Sequence, residues 1–121
     1  VNHQTIGSSA THLSPEDLAA LRESLHEQRL FRQEQLRQIA APPRAEDLLR
    51  RRSAAQAEVH VKVAASARMV LADVEAALRR MAEGRYGSCH LCHRPVERER
   101  LMIVPQARYC ARCQQVREAG R

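Results

Sequence analysis

Two adjacent prolines, Pro42 and Pro43, sit between two long stretches that mirror one another. Neither proline can donate a helix hydrogen bond, so a helix arriving from the N-terminal side must end there. The first stretch starts at Ser14-Pro15-Glu16-Asp17 and runs to about Ala41. Ser14 suits the N-cap, Pro15 the first helical position, and the two acids the positive end of the helix dipole. The second stretch runs from about Ala45 to Glu83, with Glu46 and Asp47 at its start and Gly84 as its C-terminal stop. In the first, Leu18, Leu21, Leu25, Gln28, Arg32, Gln35 and Ile39 alternate in steps of three and four. In the second, Val70, Ala67, Val63, His60, Gln56, Ser53 and Leu49 do the same in reverse, and each facing pair of position numbers adds to 88. A constant sum is the signature of an antiparallel hairpin, here centred on Arg44, and the heptad spacing makes it a two-helix coiled coil. Twenty-six helical residues would make a rod of roughly 40 Å.

The seam is apolar at its base and near its tip but polar between. Two readings of the middle stand side by side. Either the helices rotate so that Phe31, Leu36 and Val59 fill the gap, or the segment stays wet and lets the tip bend. Val74, Ala77 and Met81 continue the stripe of the second helix, flanked by Leu71 and Leu78. So wide an apolar face must cover something beyond the hairpin.

All four cysteines fall in one short segment: Cys89-His90-Leu91-Cys92, seventeen residues, then Cys110-Ala111-Arg112-Cys113. A CxxC turn brings two sulfurs to one side of a metal, and two such turns complete a tetrahedron. One structural Zn²⁺ is therefore expected on Cys89, Cys92, Cys110 and Cys113. Four thiolates close the shell and leave no position for a catalytic water. Two disulfides are the competing reading, and His90 or His93 could stand in for a thiolate.

The 121 residues carry a net charge of +6, and nineteen of the twenty basic residues are arginine. Phe31, Tyr86 and Tyr109 are the only aromatics, which argues against a large compact core and against a nucleic-acid reader that stacks bases. Apolar runs are too short for a transmembrane helix, and the first twelve residues lack the apolar segment of a secretion signal. The expectation is a cytoplasmic, mainly α protein with no catalytic constellation. It would comprise a flexible tail (1–13), a coiled-coil hairpin (14–83, tip about 42–47) and a zinc-finger module with a short C-terminal helix (84–121).

The stretch Val74-Glu75-Ala76-Ala77-Leu78, then Gly84-Arg85-Tyr86-Gly87-Ser88-Cys89, Cys92, Arg100-Leu101, Pro105, Ala107, Cys110 and Cys113 resembles the DksA/TraR family of bacterial RNA polymerase regulators. The resemblance covers about residues 70–114; before that only the architecture matches. It implies direct binding to RNA polymerase, with the hairpin inserted into the secondary channel to modulate initiation, as a monomer, without sequence-specific DNA contact. Well-known members carry an Asp-x-x-Asp-x-Ala tip. The corresponding stretch here is Glu46-Asp47-Leu48-Leu49-Arg50-Arg51, so Glu46, Asp47, Arg50 and Arg51 become the expected tip contacts. Members that bind ppGpp grip its phosphates with basic residues, and the matching positions here are Asp73, Val104 and Gln114. One is acidic, one apolar and one neutral, so action without ppGpp is expected, unless Arg68, Arg108 or Arg112 compensate. Two alternatives remain open on the residues alone: a zinc-finger protein binding DNA or RNA, with Arg50-Arg51-Arg52 as its densest cationic run, and a helical scaffold or anti-activator binding another protein.

Overall fold

The computed structural model describes residues 12–40 and 54–120. Two long helices, α1 (Pro15–Ala40) and α2 (Ala54–Ala82), pack against each other as a hairpin. Two short helices follow, α3 (Arg98–Ile103) and α4 (Ala111–Ala119). Among the described residues the only extended pairing is one antiparallel bridge, Ser88 with Pro95. The turn at 42–47 and the tip residues Glu46, Asp47, Arg50 and Arg51 lie outside the described residues.

The start of α1 forms as its residues dictate. The Asp17 N–H donates to Ser14 Oγ at 2.9 Å, and the Ser14 N–H donates to Asp17 Oδ2 at 3.1 Å. This reciprocal capping box satisfies two backbone donors that a helix start otherwise leaves orphaned. The end of α2 is a Schellman motif. Gly84 N–H donates to the Met81 carbonyl at 3.2 Å and Arg85 N–H to the Arg80 carbonyl at 2.8 Å. Gly84 holds φ +75° there with open space around it, so the backbone angle rather than crowding calls for glycine.

Leu21, Leu25, Val74, Ala77 and Met81 from the open end of the hairpin share one buried cluster with Tyr86, Cys89, Val96, Leu101 and Cys110. The wide apolar face of α2 thus covers the cysteine-bearing module. Leu13 belongs to the same cluster, and His12 Nε2 lies 2.7 Å from the Val96 carbonyl oxygen. The expected flexible tail therefore extends too far along the chain: its last two residues, 12 and 13, are held against the module, because burying one leucine is worth roughly 1.5–3 kcal/mol.

The seam departs from expectation in two places. Val63 is 39% exposed while its neighbour Ala64 is buried. Steps of three and four admit either residue into that layer, and the fold places the alanine there and the valine at the surface. In the middle, Phe31 and Val59 point outward at 62% and 57% exposure, and only Leu36 is half-buried. The filling by rotation does not occur. Gln28, Arg32, Gln35 and His60 stay half-buried, and Arg32 donates to Gln35 Oε1 at 3.0 Å. Arginine and glutamine can meet one another's hydrogen-bonding needs along the seam, whereas a rotation would expose them by displacing α1 from its apolar base.

The Asp17 carboxylate has a second partner. Arg98 of α3 donates from Nε at 3.0 Å and from Nη2 at 2.8 Å, a bidentate pair joining residues 81 apart. That arginine, then the Ser14 amide, hold the Asp17 pKa well below its ordinary 3.8. A depressed carboxylate contributes stability above its unfolded pKa and loses it as pH falls toward the folded one. Thermal stability should accordingly decline as pH drops below about 3.8, and Asp17→Asn should flatten that part of the profile while lowering the melting temperature at neutral pH. Equal acid sensitivity in both proteins, measured by circular dichroism melts, would refute the assignment. Gly84→Ala should cost about 1–2 kcal/mol in denaturant titrations, the penalty of a Cβ in the left-handed region.

Candidate metal centre

The two CxxC pairs are displayed on different scaffolds. The first is a tight turn: the His93 N–H donates to the Cys89 carbonyl at 3.0 Å and the Leu91 N–H to Cys89 Sγ at 3.4 Å. His93 adopts φ +63° to complete that turn, a conformation uncommon for a side chain with a Cβ. The second pair opens α4. Cys110 is the N-cap and its sulfur accepts from the Cys113 N–H at 3.5 Å. The Cys89 N–H donates to the Arg94 carbonyl and closes the first turn, and the His90 N–H donates to the Arg108 carbonyl and ties that turn to the segment before Cys110, both at 2.8 Å.

The four sulfurs lie within 4.8 Å of one another, and no other such cluster occurs among the described residues. All four cysteines are free, and the Cys92 and Cys110 sulfurs are 3.9 Å apart, far beyond a disulfide. Ligands at about 2.3 Å from a tetrahedral zinc stand about 3.8 Å from each other. The cluster therefore fits one structural zinc, and His90 and His93 stay outside it. Burial raises the Cys89 thiol pKa, but backbone N–H groups of Cys92, Cys110 and Leu91 outweigh that and bring it down to about 6. The Cys113 thiol is pushed up to about 12, first by burial and then by bonds to its sulfur neighbours.

Tyr86 anchors the module to the end of α2. Its ring is buried and its hydroxyl donates to the Pro105 carbonyl at 2.8 Å; burial keeps the phenol protonated by raising its pKa. Arg80 is buried beside it, and desolvation, then Arg108, lower its pKa. Burial, then Arg80 and Arg108, also lower the pKa of His90, which favours the neutral imidazole. Its ring packs edge-on to Tyr109 at 6.1 Å, with Arg117 over the other ring at 4.5 Å.

Asp73, Val104 and Gln114, far apart in the chain, line one cleft of about 240 Å³ together with Arg100 and Arg108. Arg108 donates to Asp73 Oδ1 from Nη2 at 2.9 Å and from Nε at 3.2 Å, and Arg100 donates to the Tyr109 carbonyl at 2.9 Å. Both cations are engaged inside the fold. Of the proposed substitutes, Arg108 reaches this cleft, but Arg68 and Arg112 are not part of its lining. The Asp17–Arg98 and Asp73–Arg108 pairs carry no short-range sequence signal, since their partners are 81 and 35 residues apart.

A helical hairpin whose open end is sealed by a four-cysteine zinc module defines the class. The family model of the prokaryotic dksA/traR C4-type zinc finger matches residues 84–119. Residues 84–119 are thus similar to the zinc finger of the DksA/TraR family. A solved structure, transcription factor DksA2 from Pseudomonas aeruginosa, superposes with a TM-score of 0.66 at 23% identity, covering 98% of this chain and 97% of that one, which establishes the shared fold. An uncharacterized protein of Aquifex aeolicus (strain VF5) is 36% identical over 52 residues, spanning 41% of this chain and only 36% of that protein. No helix among the described residues is long and apolar enough to cross a membrane.

Because the module has only one isolated bridge and two short helices of regular structure, metal binding should supply folding energy to it. Chelation is expected to melt residues 84–116, seen as loss of amide hydrogen-exchange protection, while α1 and α2 retain most of their far-ultraviolet circular dichroism. Unchanged protection after complete zinc removal would contradict this.

Proposed function

We propose that this chain is a DksA-like transcription regulator that binds RNA polymerase directly, places its hairpin in the secondary channel, and modulates initiation without ppGpp. The observation that carries the reading is the pairing of a long hairpin with the DksA/TraR zinc finger over the whole length of the fold shared with DksA2. A rod attached to a compact end suits insertion into a channel: the compact end limits depth and the rod delivers its tip. Nothing in this geometry calls for base contacts, and the proposed action is exerted on polymerase in the cytoplasm by a monomer.

At the tip, Asp47 is the proposed main contact, with Glu46, Arg50 and Arg51 beside it. The acids also suit a helix start, where each would contribute roughly 0.3–1 kcal/mol by offsetting the dipole. For ppGpp independence the support is electrostatic. A multiply charged phosphate ligand needs several uncommitted cations. In the cleft lined by Asp73, Val104 and Gln114, one carboxylate faces the ligand space and Arg108 is already bound to it.

Co-purification with core polymerase, and a cross-link from position 47 to elements lining the secondary channel, are the expected results. Preferential binding to duplex DNA would instead favour the nucleic-acid reading. Asp47→Ala should abolish the transcriptional effect while leaving polymerase affinity within about a fewfold, since a tip contact adds little to the rod's burial. Initiation assays on polymerase stripped of its other alarmone site should show no ppGpp enhancement. A large enhancement that vanishes in Arg108→Ala would overturn that part.

A further inference from the structure

We infer that Arg94 and Arg112 are the counter-charges of the zinc–thiolate centre, positioning residues that act through the sulfurs rather than on an external ligand. The inference rests on the four-cysteine zinc reading above. Both arginines line a cleft of about 520 Å³ whose wall also contains Cys92, Cys110 and Cys113. Neither guanidinium has a hydrogen bond or ion pair among the described residues. The other arginines of this module among the described residues are all engaged or stacked: Arg85 with Glu83, Arg98 with Asp17, Arg100 with the Tyr109 carbonyl, Arg108 with Asp73, Arg117 over Tyr109. Two uncommitted cations thus flank the one place where a large negative charge is due.

Charge counting decides between an inward and an outward role. Four thiolates around Zn²⁺ carry a net charge of −2. Glu97 lines the same cleft and adds another negative charge. Against these, Arg94 and Arg112 supply two positives, which leaves the loaded cleft slightly negative. A phosphate or carboxylate ligand entering it would meet no net attraction. It also finds no aromatic surface among the residues lining the cleft. The centre itself does gain. Once loaded it carries −2, and cations on the rim of the cleft lower the energy of that charge by direct attraction. Cys92 is exposed and lines the same cleft as the two arginines.

The test is a zinc competition against a calibrated chelator, using the full chain at fixed pH and low salt. Arg94→Met and Arg112→Met should each weaken zinc binding about threefold, and the pair about tenfold, as expected for single charges acting near the surface. High salt should shrink the difference, because at 1 M mobile ions screen exposed charges beyond about 3 Å. Arg→Lys at either position should restore most of the affinity, which a packing role would not allow. The zinc-loaded variants should keep wild-type helicity, and their cobalt-substituted forms a wild-type tetrahedral spectrum. Unchanged zinc affinity in the double variant would overturn the inference, as would a salt-independent loss that lysine fails to rescue. If the chain bound no zinc at all, the underlying metal reading would fail first, before either variant was made.

Discussion

Closure of four sulfurs into a single cluster is the constraint on which the C-terminal third depends. Residues 84–120 form one isolated bridge and two short helices, too little regular structure to hold itself together. Each CxxC pair is fixed locally, by a tight turn at Cys89 and by a helix N-cap at Cys110. Local order cannot bring the two pairs together, and a shared metal can. The seventeen intervening residues are then tied into a loop short enough for Val96, Leu101 and Pro105 to be buried.

The hairpin and the module are one body at the base. Tyr86, Val96 and Leu101 share their burial with Leu21, Leu25, Val74 and Ala77, so neither part has a complete core alone. Two ion pairs lie on this joint from different helices: Asp17 of α1 to Arg98 and Asp73 of α2 to Arg108. Exposed pairs contribute little individually, but bidentate geometry fixes orientation as well as distance. Asp17 links two levels of organisation, because the oxygen that caps α1 also accepts from Arg98. The direction in which the rod leaves the module is thereby coupled to the start of its first helix.

Away from the base, packing weakens along the rod. Leucine and alanine give way to Gln28, Arg32, Gln35 and His60, while Phe31 and Val59 face outward. Apolar burial per turn is lower there, so local opening should cost less than at the base. For a proposed channel-entering element this distribution is useful. A rigid base sets the approach, and a less tightly packed middle allows the far end to adjust.

The residues alone made the main architecture legible. Periodicity, prolines and caps are short-range signals: Ser14, Pro15 and Asp17 read as a helix start because an N-terminal turn has unpaired N–H groups, and Gly84 read as a stop because only glycine takes positive φ without strain. The two CxxC pairs were equally direct, since metal-ligand chemistry requires particular atoms at a particular spacing. Choices with equivalent local patterns could not be read. Val63 and Ala64 both satisfy the heptad step, and only the packed hairpin shows that Ala64 is the buried one. Leu13 looked like tail because nothing nearby in sequence covers it; its cover comes from the module. Arg98 was one basic residue among many until the fold brought Asp17 within hydrogen-bond reach, the pairing of Arg108 with Asp73 was equally invisible, and that Arg94 and Arg112 line the sulfur cleft without partners among the described residues is seen only in the fold. Sequence by itself determined where helices begin and end and which atoms can hold a metal, because those depend on each residue's own backbone and donor chemistry. Tertiary structure alone decided which charges meet and which apolar residues are covered, because burial and ion pairing depend on partners that the chain order does not place side by side.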